Sequence, residues 1–156
     1  MTEVHPGNYI FFDRQQQLAG ACGPEDIACA LLVRVCGHYP QRQPPQLLID
    51  AGSIAFSKDV IDYKAGAGQA ADPSKPTPGF GGVKGWPGLS IVSLSQESAK
   101  LEMVDGSDIP FAQLPVGSHL LVQPNHSCLM AAQHADYIVL DNWTQVVGKW
   151  KACKGW

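Results

Sequence analysis

The sequence predicts a mainly β domain, barrel- or sandwich-like, with one or two short helices and a long Gly/Pro-rich loop. Three observations carry that expectation. Twelve prolines and sixteen glycines punctuate short apolar runs over 156 residues, and little of the chain keeps the i, i+3, i+4, i+7 apolar spacing of an amphipathic helix over three turns. Between the turn residues stand short segments rich in β-branched, aromatic and aliphatic side chains, a spacing that suits a barrel or sandwich.

Taken in chain order, the first expected strand is Tyr9 to Phe12. A short helix follows near Arg14 to Gly20, where Gln and Ala lead into glycines. A long strand is expected from Ile27 to Tyr39 and another from Gln46 to Asp50. Ala65 to Gly88 is rich in glycine and proline and nearly devoid of aliphatic side chains, so it reads as a loop and not as an ordinary strand or helix. Its Phe80 and Trp86 either close over a site or anchor the loop to the core. Leu89 to Ser95 and Ala99 to Val104 read as a hairpin turning near Gln96 to Ser98 and ending at Asp105-Gly106. Strand His119 to Gln123, a helix near Ser127 to His134, and strands Tyr137 to Leu140 and Val146 to Lys151 complete the set.

At 45% hydrophobic and 16% charged, the chain has the size and composition of one domain with a real core. A formal net charge of −3 with scattered basic residues argues against a nucleic-acid partner, since phosphate binding needs concentrated positive charge. No apolar run approaches the roughly 18 residues of a membrane span, and Glu3, His5 and Asp13 stand where a signal peptide would be basic and then apolar. A soluble, cytoplasmic protein with no membrane partner is the expectation. Five cysteines, an odd number, suit free thiols in a reducing compartment. Cys29 and Cys36 would face opposite sides of one extended strand, and both read as packing residues.

The stretch Pro124-Asn125-His126-Ser127-Cys128 is the main candidate for chemistry. If the preceding strand ends at Pro124, alternation sends His126 and Cys128 out of the chain on the same side. A neutral imidazole and a thiolate both suit zinc, and a site with two protein ligands leaves positions open for water or substrate. The plainer reading makes Cys128 a small buried hydrophobe and His126 a satisfied surface residue. A third makes Cys128 a nucleophile at the start of a helix, in a thiol hydrolase or redox site, although no residue that would orient His126 can be picked out. His38, His119 and His134 read as surface or strand-end residues. Gly7 before Asn8 could let backbone N–H groups approach an anion, or simply complete a Pro-Gly turn.

Four segments in this order carry a resemblance: Thr2 to Asp13 (Thr-Glu-Val-His-Pro-Gly-Asn-Tyr-Ile-Phe-Phe-Asp), Leu48 to Ser53 (Leu-Ile-Asp-Ala-Gly-Ser), Leu94 to Glu97 (Leu-Ser-Gln-Glu) and Pro124 to Cys128. Over almost its whole length the chain resembles the C-terminal region of the D-serine dehydratase and D-threonine aldolase family, fold-type III pyridoxal-phosphate enzymes related to alanine racemase. The resemblance implies that residues 1–13 are the remnant of the last strand of an α/β barrel, and that 14–156 form the single β-domain that follows it.

The resemblance assigns zinc ligation to His126 and Cys128, since the dehydratases carry His-x-Cys whereas the aldolases have an acidic residue in place of the cysteine and use harder ions. It implies elimination of water from D-serine or a related D-3-hydroxy amino acid, giving a 2-oxo acid and ammonia, with pyridoxal phosphate and zinc as cofactors. It also places Gly7, Asn8 and Tyr9 beside the cofactor, with the backbone amides of Gly7 and Asn8 near its phosphate. Asp50, Gly52 and Ser53 match the family's Asp-Ala-Gly-Ser turn, which also reads as a strand-ending turn with an Asp cap.

The chain departs from the family pattern at several points. His5 stands where the racemases have an arginine, and Ser95-Gln96-Glu97-Ser98-Ala99 lacks a histidine and a glycine usual there. The lysines (Lys58, Lys64, Lys75, Lys84, Lys100, Lys149, Lys151, Lys154) lie in loops, turns and polar strand ends, and none has the buried apolar setting that activates an amine. The resemblance implies that the cofactor lysine belongs to the α/β barrel and not to the residues of this chain. The implied partners are therefore a D-amino acid substrate, a pyridoxal-phosphate barrel in cis or in trans, and a second copy in a homodimer of the full enzyme. Two alternatives stay open: a non-catalytic zinc-binding or interaction module descended from this domain, and the corresponding domain of a D-threonine aldolase-like enzyme.

Overall fold

The computed structural model describes residues 2–4, 7–62 and 76–153. Six strands close into an antiparallel barrel: β1 (Leu31–Tyr39), β2 (Gln46–Ile49), β3 (Gly81–Val83), β4 (Leu89–Leu94), β5 (Ala99–Met103) and β6 (His119–Pro124). Around the barrel the order is β1-β2-β5-β4-β3-β6, and β6 closes it by pairing with β1 (Leu31 opposite Val122) and with β3 (Gly82 opposite Gln123). Two further strands, β7 (Asp136–Asp141) and β8 (Gln145–Lys151), form a separate antiparallel hairpin. The helices are short: α1 (Arg14–Leu18) and α2 (Ser127–Gln133). The fold is the mainly β, barrel-like one expected from the sequence.

Alternation along the strands makes the core. In β1, Val33 and Val35 point inward while Leu32, Arg34 and Cys36 face out. Leu47, Ile49, Ile91, Leu101 and Val122 join them in a continuous interior, each fully buried. Cys29 packs against that core, as expected of a packing residue, whereas Cys36 is exposed on the outer face of β1. The hairpin's rings reach the residue after β3 and the N-terminal turn. Lys84 Nζ lies 4.3 Å from the Trp143 ring centroid, and Tyr137 meets Phe11 edge-on at 6.2 Å.

Three expected elements differ. Tyr9 to Phe12 is a turn and not a strand: Asn8 and Phe12 take positive φ values (46° and 53°), and Tyr9 and Ile10 are exposed. The Asn8 side chain hydrogen-bonds the Asp13 carboxylate, and Asp13 N-caps α1, so local side-chain bonding displaces an extended conformation. Conversely, β3 forms inside the Gly/Pro-rich segment expected to hold no strand. Its glycines let other groups come close. A Cβ on Gly82 would lie 2.9 Å from the Arg14 guanidinium carbon, and one on Gly79, at φ +117°, would lie 2.3 Å from the Ile91 carbonyl oxygen. Phe80 and Trp86 pack partly buried against the core, which is the anchoring role. The part of that segment from 65 to 75 lies outside the described residues, as does His5.

The long strand expected from Ile27 begins only at Leu31, after a 3-10 turn over Pro24–Asp26. The Asp50-Ala51-Gly52-Ser53 segment is a strand-ending turn. Asp50 accepts the Arg34 backbone N–H at 2.7 Å, and the Ser53 N–H donates to the Ser95 carbonyl at 2.9 Å. Gly52 is required there, because a Cβ would lie 2.5 Å from the Ser95 carbonyl oxygen.

Candidate functional site

Strand β6 ends at Pro124, and the next four residues split into two pairs. Asn125 and Ser127 are buried, whereas His126 is half-exposed and Cys128 exposed. His126 is the N-cap residue of α2, and Cys128 lies in its first turn. The two side chains reach a common side through a cap and a helical turn, and not through continued strand alternation. Both line one cleft of about 250 Å³, whose other walls are Gly7, Asn8, Asp13, Gln15 and Gln16.

The buried pair fixes that arrangement. The Asn125 amide donates to the Gly79 carbonyl (2.6 Å) and the Asp59 carbonyl (2.9 Å), and its oxygen accepts from Arg14 Nη1 at 2.7 Å. The Arg14 guanidinium also donates to the Thr77 hydroxyl at 2.6 Å. A polar side chain that is 1% exposed has thereby made its hydrogen bonds, as burial requires. Ser127 donates its hydroxyl to Asn8 Oδ1 and its backbone N–H to the Asp13 carboxylate, the latter at 3.0 Å. Asp13 also accepts the Gln16 backbone N–H at 3.0 Å. One carboxylate thus receives first-turn N–H groups from both helices. His126 makes no side-chain cap bond of its own.

Of the residues singled out from the sequence, Gly7, Asn8, His126 and Cys128 come together in the cleft. Tyr9 does not line it and is 65% exposed. The Asn8 side chain is committed to Asp13, Gln16 and Ser127, so any anion contact at this turn falls to backbone amides. His38 and His134 bond the Leu114 and Ala55 carbonyls, and His119 lies at the start of β6; none of the three faces the cleft. Sequence reading missed Asp13, Gln15, Gln16 and Asp59. Asp59 Oδ1 lies 3.8 Å from His126 Nδ1. The acid before a Gln-rich helix start was the one available signal for Asp13, as an N-cap.

An imidazole and a thiol opening onto one cleft suit a borderline-soft cation, and no third His, Cys, Asp or Glu joins them as a closed ligand set among the described residues. No lysine lines the cleft, so the described residues do not fit covalent anchoring of pyridoxal phosphate. Burial first, and then the nearby Asp13, pushes the neighbouring Cys29 thiol up to about 12, which makes Cys29 a poor nucleophile or ligand. No described helix is long and apolar enough to cross a membrane.

The sequence matches the family described as "Putative serine dehydratase domain" over residues 28–140. It is 39% identical over its full length to 38% of the D-serine dehydratase of Dictyostelium discoideum. It is 33% identical over its full length to 40% of the D-threo-3-hydroxyaspartate dehydratase of a Delftia strain. The chain therefore spans about two fifths of the length of these curated relatives. The solved structure of the Delftia enzyme superposes with a TM-score of 0.75 at 29% identity, covering 95% of this chain and 38% of that one. Two variants of a D-threo-3-hydroxyaspartate dehydratase have also been solved. One replaces a cysteine by alanine and is described as metal-free, and the other replaces a histidine two positions earlier. An alanine racemase-like protein of Idiomarina loihiensis superposes at 0.72 with 29% identity, covering 93% of this chain and 36% of that one. A protein of Mycobacterium bovis, 28% identical over 89% of this chain, is itself covered over 92% of its length.

Proposed function

The chain belongs to the serine dehydratase domain family, and on that premise we propose that it is the metal-bearing β-domain of a D-serine dehydratase-like lyase. His126 and Cys128 hold a zinc ion in this reading, and the substrate is D-serine or a related D-3-hydroxy amino acid. The observation that carries it is the opening of an imidazole and a thiol, two residues apart, onto one cleft. The solved D-threo-3-hydroxyaspartate dehydratase variants support it, since a cysteine and a histidine at the same spacing were the residues replaced there.

When bound, the metal supplies a Lewis acid that eases departure of the substrate's β-hydroxyl. The chain's own residues hold and orient. Asn125 and Ser127 anchor the turn from inside, leaving His126 and Cys128 aimed at the cleft. Gly7, Asn8, Gln15 and Gln16 line the same cleft; the Asn8 side chain is committed to its neighbours, so backbone amides of the turn and the Gln15 and Gln16 side chains are what can direct a polar substrate. Pyridoxal phosphate and its lysine belong to a barrel domain, in cis or in trans, against which this cleft is completed.

The test is metal content. Purified protein with residues 1–156 should carry about one zinc per chain, and His126→Ala or Cys128→Ala should lose it while staying folded. A folded wild-type protein that neither retains nor takes up zinc overturns the assignment. The second reading, a non-catalytic zinc-binding or interaction module, draws on the mycobacterial relative, which this domain covers almost end to end. Adding a pyridoxal-phosphate barrel in trans separates the two: oxo-acid release from D-serine supports the lyase, and zinc binding without turnover supports the module.

A further inference from the structure

Asp59 faces the imidazole from a segment that the fold pins along α2, and we propose that it is the positioning residue for His126, setting which ring nitrogen is free to bind metal. The proposal rests on the metal reading above. Asp59 Oδ1 lies 3.8 Å from His126 Nδ1, with side-chain exposures of 26% and 36%. That is beyond a direct hydrogen bond and within reach of one by a small side-chain rotation.

The carboxylate's other oxygen is already engaged, because Oδ2 accepts the Ser57 hydroxyl at 2.7 Å. Ser57 has φ of +143°, a region that costs a non-glycine residue energy and persists only where surrounding contacts hold it. The Asp59 carbonyl accepts from Asn125, the residue just before His126, at 2.9 Å. At the other end of α2, Gln133 Nε2 donates to the Phe56 carbonyl at 3.0 Å, and the His134 ring nitrogen lies 3.0 Å from the Ala55 carbonyl. The strap from 55 to 59 is therefore tied to both ends of the helix that carries Cys128. Oδ1 is left aimed at Nδ1.

A carboxylate facing Nδ1 favours the tautomer with the proton there, and leaves the Nε2 lone pair for a ligand. Asp59 stands outside the ligand set, since no group of three His, Cys, Asp or Glu side chains that could hold a metal occurs among the described residues.

The experiment uses 15N-labelled, metal-free protein and reads the His126 imidazole nitrogens by NMR, with zinc affinity measured on the same samples. In wild type the Nδ1–H form should dominate. In Asp59→Asn and Asp59→Ala, checked for folding by circular dichroism, the ratio should move toward Nε2–H and zinc affinity should fall about 10- to 100-fold. Ser57→Ala should shift both in the same direction by less. An unchanged tautomer ratio in a folded Asp59→Asn protein overturns the proposal, whether affinity holds or falls; a fall alone makes Asp59 a direct ligand. Should wild type bind no zinc, the metal reading fails, while the tautomer ratio still decides whether Asp59 orients His126.

Discussion

The Asp13 carboxylate accepts the Ser127 backbone N–H at 3.0 Å across 114 residues of sequence. It caps α1 through Gln16 at the same time, so the N-terminal turn and the His126–Cys128 turn share one buried acceptor. Replacing Asp13 with alanine should strand both N–H groups and cost about 2–4 kcal/mol of unfolding free energy. Urea denaturation measures it. Asp13→Asn, which keeps one acceptor oxygen, should cost less, and equal stability of wild type and Asp13→Ala would show that the shared cap is idle.

Gly79→Ala should destabilise more than an ordinary surface Gly→Ala change. Its φ of +117° disfavours any side chain, and the new Cβ would collide with the Ile91 carbonyl at the β3–β4 seam. A loss above about 2 kcal/mol is expected. Gly85→Ala, also at positive φ but with nothing within 4 Å of the new Cβ, isolates the backbone cost from the collision.

Thiol titration should sort the cysteines by burial. In metal-free protein Cys36, Cys128 and Cys153 are exposed and should react with Ellman's reagent at pH 8 within minutes, with Cys29 far slower. Burial holds the folded Cys29 thiol near 12, above its unfolded value of about 8.5–9. Its contribution to stability is therefore complete below pH 8.5 and falls as pH rises from there toward 12. A Cys29→Ala variant should lose less stability than wild type between pH 8.5 and 10.5, as read from denaturation midpoints. Matching slopes would mean that the thiol ionises equally well in both states.

Cys128→Asp should change which metal is preferred. A carboxylate is a harder donor than a thiolate, so zinc and cadmium affinity should fall while manganese is retained or gained. Competition calorimetry reads the ratio. A preference that stays with zinc would indicate that Cys128 is not in the ligand set.

Much of the barrel was legible because its strands alternate. Strands β2, β4, β5 and β6 fall within about a residue of where the apolar pattern put them, and the hairpin turn expected near Gln96 to Ser98 lies there although no Asn-Gly or Asp-Gly marks it. Strand β3 was invisible for the opposite reason. Gly81-Gly82-Val83 has almost no strand propensity of its own, and it forms because β4 and β6 offer hydrogen-bonding edges on both sides. Tyr9 to Phe12 failed as a strand because Asn8 and Asp13 bond each other across the turn, a choice that side-chain geometry makes and hydrophobicity does not record.

The sequence by itself determined the class of fold and the chemistry on offer, since periodicity writes strands into the order of residues and His-x-Cys is a donor pair by residue type. Tertiary structure decided how that pair is held. Asp13, Asn125 and Asp59 meet around it from the chain's start, its late turn and its middle, and contacts between residues so far apart arise only when the closed barrel brings its strand ends together.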